Sequence, residues 1–236
     1  MSSVHQGGSD VAADQRLPHH DAPEDGSPRR AAHRSSITAK RMLDVVGASA
    51  GLVLFAPIVA ATALAVRVSM GTPVVFRQAR PGQYGKLFTI LKFRTMTNSA
   101  TDGPDEARLT SVGRFLRSTS LDELPQLWNV LRGEMSLVGP RALLVEYLPL
   151  YTARHARRHE AKPGLTTWNA VNGRNSLTWE EQFEMDVWYV EHQSMALDLK
   201  IIAMTVGKVL KREGITQQGR ATRDRFTGLK TGASGA

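Results

Sequence analysis

The sequence predicts an α+β protein: a mostly helical domain with a small β-hairpin, joined to a helix that enters and leaves one face of a membrane. Three observations predict it. Val45 to Val66 is an uncharged run of 22 residues, long enough to reach across a bilayer core at about 1.5 Å per residue. After Gly71 the pattern changes to short apolar strands around the turn "RPGQYG". Further on, two long stretches repeat apolar residues at helical spacing.

Residues 1–36 are rich in Ser, Gly, Asp, His and Pro and read as a disordered tail. The "PHHD" within it offers metal-ligand types, but its solvated setting makes it an ordinary polar tract. With no apolar core near the start, the tail is not expected to be a signal peptide.

Residues 37–70 form the expected membrane segment. The uncharged run is apolar all round rather than on one stripe, which sets it apart from a core helix. Arg29, Arg30, Arg34, Lys40 and Arg41 precede it, and Arg67, Arg77 and Arg80 follow. A straight span keeps its basic residues mainly on one side. Pro57 lies near the middle, where it removes a helix hydrogen bond and clashes with the preceding turn. A bend there returns both basic flanks to one face. Pro57, Lys40 and Arg41 are the expected anchor residues.

Residues 71–215 form the expected domain. "PVVFRQ" and "KLFTILKFRTM" pair as a hairpin, from which Lys92, Arg94 and Thr95 emerge together. Thr97 to Glu106 is a polar loop, and "RLTSVGRFLRS" a helix. "YTARHARRHE" is helix-like and basic; a solvated face is the plain reading and contact with phosphate or headgroups the sharper one. "GLTTWNAVNGRN" is loop. "TWEEQFEMDVWYVEHQ" and "MALDLKIIAMTVGKVLKREG" are helices, the second with Leu199, Ile202, Val206 and Val209 as its core stripe. Gly214 is a suitable stop, and 216–236 a flexible tail.

The chain has 236 residues, a net charge of +8 and no cysteine. Disulfides, zinc–thiolate sites and thiol catalysis are excluded. The positive balance points to an anionic partner: nucleic acid, acidic lipid or a phosphorylated substrate. The uncharged run disfavours the nucleic-acid reading. A lipid-phosphate-binding scaffold without catalysis is the other alternative, and it has no need of a carboxylate pair.

That pair is Asp122 and Glu123, in "SLDELPQLWNVLRGEMSLVGPR". Ser120 and Glu123 match a capping box, and Pro125 is tolerated in a first helical turn. Both carboxylates would then sit at the positive end of a helix dipole and stay ionised. Arg94, Arg114, Arg117, Arg141 and Arg174 lie in polar, turn-bounded segments that can converge on the pair. Carboxylates among arginines beside a membrane anchor point to phosphoryl chemistry on a lipid. One can attack phosphorus and the other hold a hard divalent cation.

Five stretches make the sequence recognisable: "KRMLDVVGA", "PVVFRQARPGQYGKLFTILKFRTM", "TSVGRFLRSTSLDELPQLWNVLRGEMSLVGPR", "KPGLTTWNAVNGRN" and "LDLKIIAMTVGKVLKREGI". From about Ala39 to Ile215 the chain resembles the bacterial sugar transferase family, the monotopic polyprenyl-phosphate phosphoglycosyl transferases, in their small catalytic-core form. The resemblance implies transfer of sugar-1-phosphate from a nucleotide sugar, usually a UDP-sugar, to undecaprenyl phosphate at the cytoplasmic face of the bacterial inner membrane. It implies Asp122 as nucleophile, forming a covalent phosphosugar intermediate, and Glu123 as a ligand of Mg²⁺. It implies substrate contacts from Lys92, Arg94, Arg117, Arg141 and Arg174, and no nucleic-acid partner. The chain departs from the family pattern at Ala142 after "GPR", at Thr167, Asn169 and Ala170 in "TTWNAVNGRN", and at Ala56 before Pro57.

Overall fold

The computed structural model describes residues 28–97, 105–173, 177–211 and 225–228. Two helices open the fold, α1 (Pro28–Leu54) and α2 (Ala56–Met70). Helix α1 therefore starts inside the stretch expected as tail; "RRAAHRSS" holds no glycine or proline to prevent it. Residues 1–27, with the "PHHD" tract, lie outside the described residues.

Phe55 separates the two helices, which meet at 63°. Pro57 falls in the first turn of α2, where a missing N–H costs nothing. Phe55 N still donates to Gly51 O at 2.9 Å, and Val59 N to Phe55 O at 2.8 Å, so the chain turns with little loss of bonding. No single helix among the described residues is long and apolar enough to cross a membrane; this bent pair passes that test together.

One stripe of α1 locks onto the domain. Ala48 is fully buried there, against Leu127 and Val130. Gly47 lets Leu137 pack close: a Cβ on it would stand 2.6 Å from Leu137 Cδ1 and displace that side chain. Asp44, buried on the same stripe, accepts from Ser136 Oγ and Leu137 N, both at 2.9 Å. Met42, Val46, Val53 and Leu54 are exposed.

The expected hairpin is present. Strands β1 (Val75–Pro81) and β2 (Leu87–Phe93) pair antiparallel, Val75 opposite Phe93 and Pro81 opposite Leu87. There follow α3 (Asp105–Arg108), α4 (Ser111–Thr119), α5 (Gln126–Arg132), β3 (Ser136–Val138), α6 (Ala153–Ala156), β4 (Gly164–Thr166), α7 (Trp168–Asn172), α8 (Trp179–His192) and α9 (Met195–Lys211). Strands β3 and β4 form a second, parallel pair, with Ser136 opposite Gly164. Sequence reading put β4 and α7 in a loop; elements this short carry no periodic signal. The α+β class stands, mostly helical with small sheets.

Two expectations of burial are corrected. On α9, Leu199 and Val206 are 51% and 53% exposed, Val209 is exposed as well, and Ile202 is half-buried. The buried row is Asp198 and Ile201, with Thr205 half-buried behind them. Polar ties turn the helix this way: Asp198 Oδ2 accepts from Lys40 Nζ, and Asp198 Oδ1 from the Tyr189 hydroxyl, each at 2.6 Å. In the basic stretch, Arg154 is exposed and Arg157 half-buried, but His155, Arg158 and His159 are buried. Within the range expected as a flexible tail, Phe226 is buried against Tyr147 and Phe183.

Candidate active site

The carboxylate pair sits where α4 ends and α5 has not begun. Thr110 caps α4, its hydroxyl accepting from Gly113 N at 2.9 Å. Gly113 lets α4 press onto the end of β2, since a Cβ there would stand 1.9 Å from Thr95 O. The close approach brings Arg117 Nε to Thr95 Oγ1 at 3.0 Å. Helix α4 then ends at Ser120, which is left-handed at φ 57, a conformation that costs a non-glycine residue roughly 1 kcal/mol. A 3-10 turn, Leu121–Glu123, and Pro125 lead into α5.

The expected capping box is absent. Ser120 makes no side-chain cap bond to this turn. The spacing to Glu123 fitted, but Ser120 ends α4 in a left-handed conformation, whereas a capping residue is extended.

Glu123 Oε1 accepts from Lys92 Nζ at 2.7 Å and from Arg141 Nη2 at 3.3 Å. Burial pushes this carboxyl up, but Lys92 and Arg141 outweigh it and hold it at about 2. Asp122 is only 8% exposed. Burial first, and the charge of Glu123 second, push its carboxyl up to about 6, against the pull of Lys92, Arg117 and Arg141. Asp122 still ionises at neutral pH, but closer to its pKa than a helix dipole alone would leave it, because desolvation dominates there.

Lys92, Arg117 and Arg141 therefore surround the pair as expected. Arg94 does not. It is buried, and its guanidinium donates to Met70 O, and to Gly71 O and Thr72 O at 3.0 Å. It caps the C-terminal end of α2, where a cation is favoured. Lys40 and Arg41, expected in the anchor, also serve the domain: Lys40 pairs with Asp198, and Arg41 donates to Val130 O and Leu131 O at 2.6 Å. Arg174 lies outside the described residues.

Sequence reading missed a buried network behind Arg141. Arg158 and Asp186 pair at 2.6 Å, each side chain 1% exposed. Burial opposes the charge of Arg158, but Asp186 outweighs it and raises the pKa. Arg158 Nη2 also donates to Arg141 O at 2.7 Å. Asn169 Nδ2 donates to Asp186 Oδ1 at 3.0 Å, and Thr167 Oγ1 to Asn169 Oδ1. Two of the departing residues, Thr167 and Asn169, thus belong to the scaffold that holds the "GPR" turn. Arg158 gave no signal because its neighbours Arg154 and Arg157 are surface residues.

The turn divides two chemically opposite spaces. Glu123 and Gln126 line a polar cavity of about 70 Å³ with Arg80, Lys92 and Arg141. Leu124 and Pro125 line an apolar groove of about 410 Å³ that runs along Leu52, Ala56, Val59 and Ala63 at the helix bend. An ionisable carboxylate thus stands between a site for a charged molecule and a site for a greasy one. Among the described residues there is no cluster of three or more metal-ligating side chains. Two adjacent carboxylates, one raised by the charge of the other, nevertheless fit Mg²⁺, which takes one or two protein carboxylates and completes its shell with waters and substrate phosphates.

A family model described as bacterial sugar transferase matches residues 35–212. The chain is 54% identical over 193 residues to an uncharacterized sugar transferase, EpsL, of Bacillus subtilis, covering 80% of this chain and 96% of that one. It is 44% identical over 186 residues to a UDP-glucose:undecaprenyl-phosphate glucose-1-phosphate transferase of Caulobacter vibrioides, covering 72% and 69%. An Escherichia coli protein of the same name is 41% identical over 183 residues, covering 72% of this chain and 39% of that longer one. With the carboxylate turn, its cations and its two-sided setting in place, these matches show that the chain belongs to the bacterial sugar transferase family.

Proposed function

We propose that this transferase moves a sugar-1-phosphate from a UDP-sugar to undecaprenyl phosphate through a covalent intermediate on Asp122, the first membrane step of a bacterial surface glycan. The observation that carries it is the turn directly after Asp122: Glu123 and Gln126 line a cationic cavity, and Leu124 and Pro125 an apolar groove. The names of the relatives point to the same donor and acceptor classes.

A carboxylate oxygen of Asp122 attacks the phosphorus that bears the sugar. The bond from that phosphorus to the bridging oxygen breaks, and the nucleotide monophosphate leaves. A phosphate oxygen of the lipid then attacks the same phosphorus and releases the Asp122 carboxylate. Splitting transfer this way lets a water-soluble donor and a membrane lipid use one residue in turn. Lys92, Arg117 and Arg141 screen the approach of an anion to an anion. Asp122 and Glu123 would hold Mg²⁺, which when bound supplies charge neutralisation for the donor diphosphate.

The bent pair α1–α2 would dip into the inner membrane from the cytoplasmic face and return. Its 63° bend and the exposed apolar side chains beside it support this, as do the basic residues at both ends. The groove then opens where a lipid arrives. To test the function, the protein is incubated with undecaprenyl phosphate and a panel of UDP-sugars, and UMP release is measured. Release with at least one donor is expected; none with any donor would overturn the reading.

A further inference from the structure

The polar cavity holds two side chains with no expected part in the site: Gln126, and Arg80, expected only as a basic flank of the membrane segment. Gln126 is 3% exposed, and its Nε2 has no acceptor among the described residues. Arg80 leaves the end of β1; its Nη2 donates to Gln78 Oε1 at 2.6 Å and its Nη1 to Ala142 O at 3.4 Å. Its Nε is buried and has no acceptor among the described residues. Two orphaned donors thus share one small cavity with Lys92 and Arg141. Leaving a buried donor unpaired is costly, so such groups occur where something else completes them.

The charge balance says what that is. Three cations, Arg80, Lys92 and Arg141, line the cavity, and Glu123 is the one carboxylate of its lining. Glu123 already answers Lys92 and Arg141. Arg80 has no such partner there. Burial, then the neighbouring charge of Arg141, lower its pKa. Two guanidiniums that repel each other across a cavity lined with free donors form a site for a multivalent oxyanion. The volume, about 70 Å³, exceeds the roughly 30 Å³ of a water molecule in the liquid.

We propose that Arg80 and Gln126, with Arg141, hold the phosphate of the departing nucleotide, a phosphate monoester once the donor is cleaved. The assignment rests on the phosphosugar-transfer reading above. It chooses the donor phosphate over the lipid phosphate by position. The cavity is walled by Ala142, Leu143, Gly164 and Leu165 and shares no lining residue with the apolar groove. A lipid phosphate comes from the groove side. The leaving phosphate gains charge as the bridging bond breaks, so donors fixed on it favour cleavage. The structure also exchanges one arginine for another: Arg94, expected at the diphosphate, caps a helix, and Arg80 takes that place.

The test compares wild type with Gln126→Leu and Arg80→Met in full-length protein. The dissociation constant of UMP is measured by calorimetry, with inorganic phosphate as a second probe. KM is measured for the UDP-sugar and for undecaprenyl phosphate separately. The expected result is a rise of about tenfold in the UMP dissociation constant and the donor KM, with the lipid KM unchanged. Melting temperature should not fall in Arg80→Met, because a repulsive charge is removed; a purely structural arginine would lower it. If Arg80→Met does not fold, Arg80→Lys keeps a charge but loses Nε and should show a smaller rise of the same kind. Unchanged UMP affinity and donor KM overturn the proposal and leave waters as the partners of both donors. A rise in the lipid KM alone also overturns it, assigning the cavity to the acceptor. Failure of the transfer reading itself looks different: wild type would then release no UMP at all.

Discussion

Lys92 Nζ stands 2.7 Å from Glu123 Oε1, and this contact settles which carboxylate of the pair takes a proton first. Glu123 stays ionised, and its charge, added to burial, raises Asp122 to about 6. A nucleophile must be deprotonated. The rate of UMP release from the donor alone should therefore fall as pH drops through about 6. In Lys92→Met one cation that lowers Asp122 is gone, so this acid limb should move to higher pH. A pH–rate profile of the two proteins checks it; since the pair titrates together, the limb belongs to both groups. A limb that stays in place would remove Lys92 from the electrostatics of Asp122.

Asp122→Asn should abolish turnover and leave the protein folded, because a neutral amide does not attack phosphorus. Mass spectrometry of wild type with donor alone should find a phosphosugar on the peptide that contains Asp122. Stability gives a second readout. The folded pKa of about 6 lies above the ordinary 3.8, so ionising Asp122 destabilises the fold. That penalty is absent at pH values below the unfolded pKa and complete above the folded one. Asp122→Asn should be more stable than wild type at neutral pH, by about 3 kcal/mol, and melt higher. The gap should close in acid. An equal gap at all pH values would show that the carboxyl is not raised.

Glu123→Gln should lower the rate and raise the Mg²⁺ concentration needed for half-maximal activity, since a hard cation loses an anionic oxygen. It also takes the shared partner from Lys92 and Arg141. Chelation should silence wild type. A metal titration that does not change in Glu123→Gln would take this residue out of the metal shell.

Arg158→Met leaves Asp186 buried without its cation. Breaking such a pair costs about 3–5 kcal/mol, visible as a large drop in melting temperature. Arg158→Met combined with Asp186→Leu should recover much of that stability. It should not recover the donor KM, because nothing then holds the carbonyl of Arg141. Full recovery of both would make the pair a packing feature with no bearing on the site.

Pro57→Leu removes the ring that clashes with the turn preceding α2 and should straighten the 63° bend. The native chain has no cysteine, so a single Ser35→Cys reports topology. A membrane-impermeant thiol reagent on intact cells should leave wild type unlabelled and label part of the Pro57→Leu population. Labelling of the wild-type background from outside would replace the re-entrant arrangement with a straight span.

The sequence alone determined the local, pattern-borne features: the uncharged run and its proline, the hairpin around "RPGQYG", the two long C-terminal helices, and the carboxylate pair itself. Each is written in neighbouring residues or in a period. The tertiary structure decided where long side chains and short elements go. Arg94 and Arg80 look alike in sequence, yet one caps α2 and the other enters the cavity, because the hairpin register and the end of α2 aim them differently. Arg158 looks like Arg154 and Arg157, yet only it meets Asp186 from α8. The stripe of α9 could not be read from spacing, since Asp198 turns the helix by its bonds to Tyr189 on the preceding helix and to Lys40, which is far away in the chain. Nor could the state of Asp122 be read, because burial sets it, and burial is made by everything the chain folds around that turn.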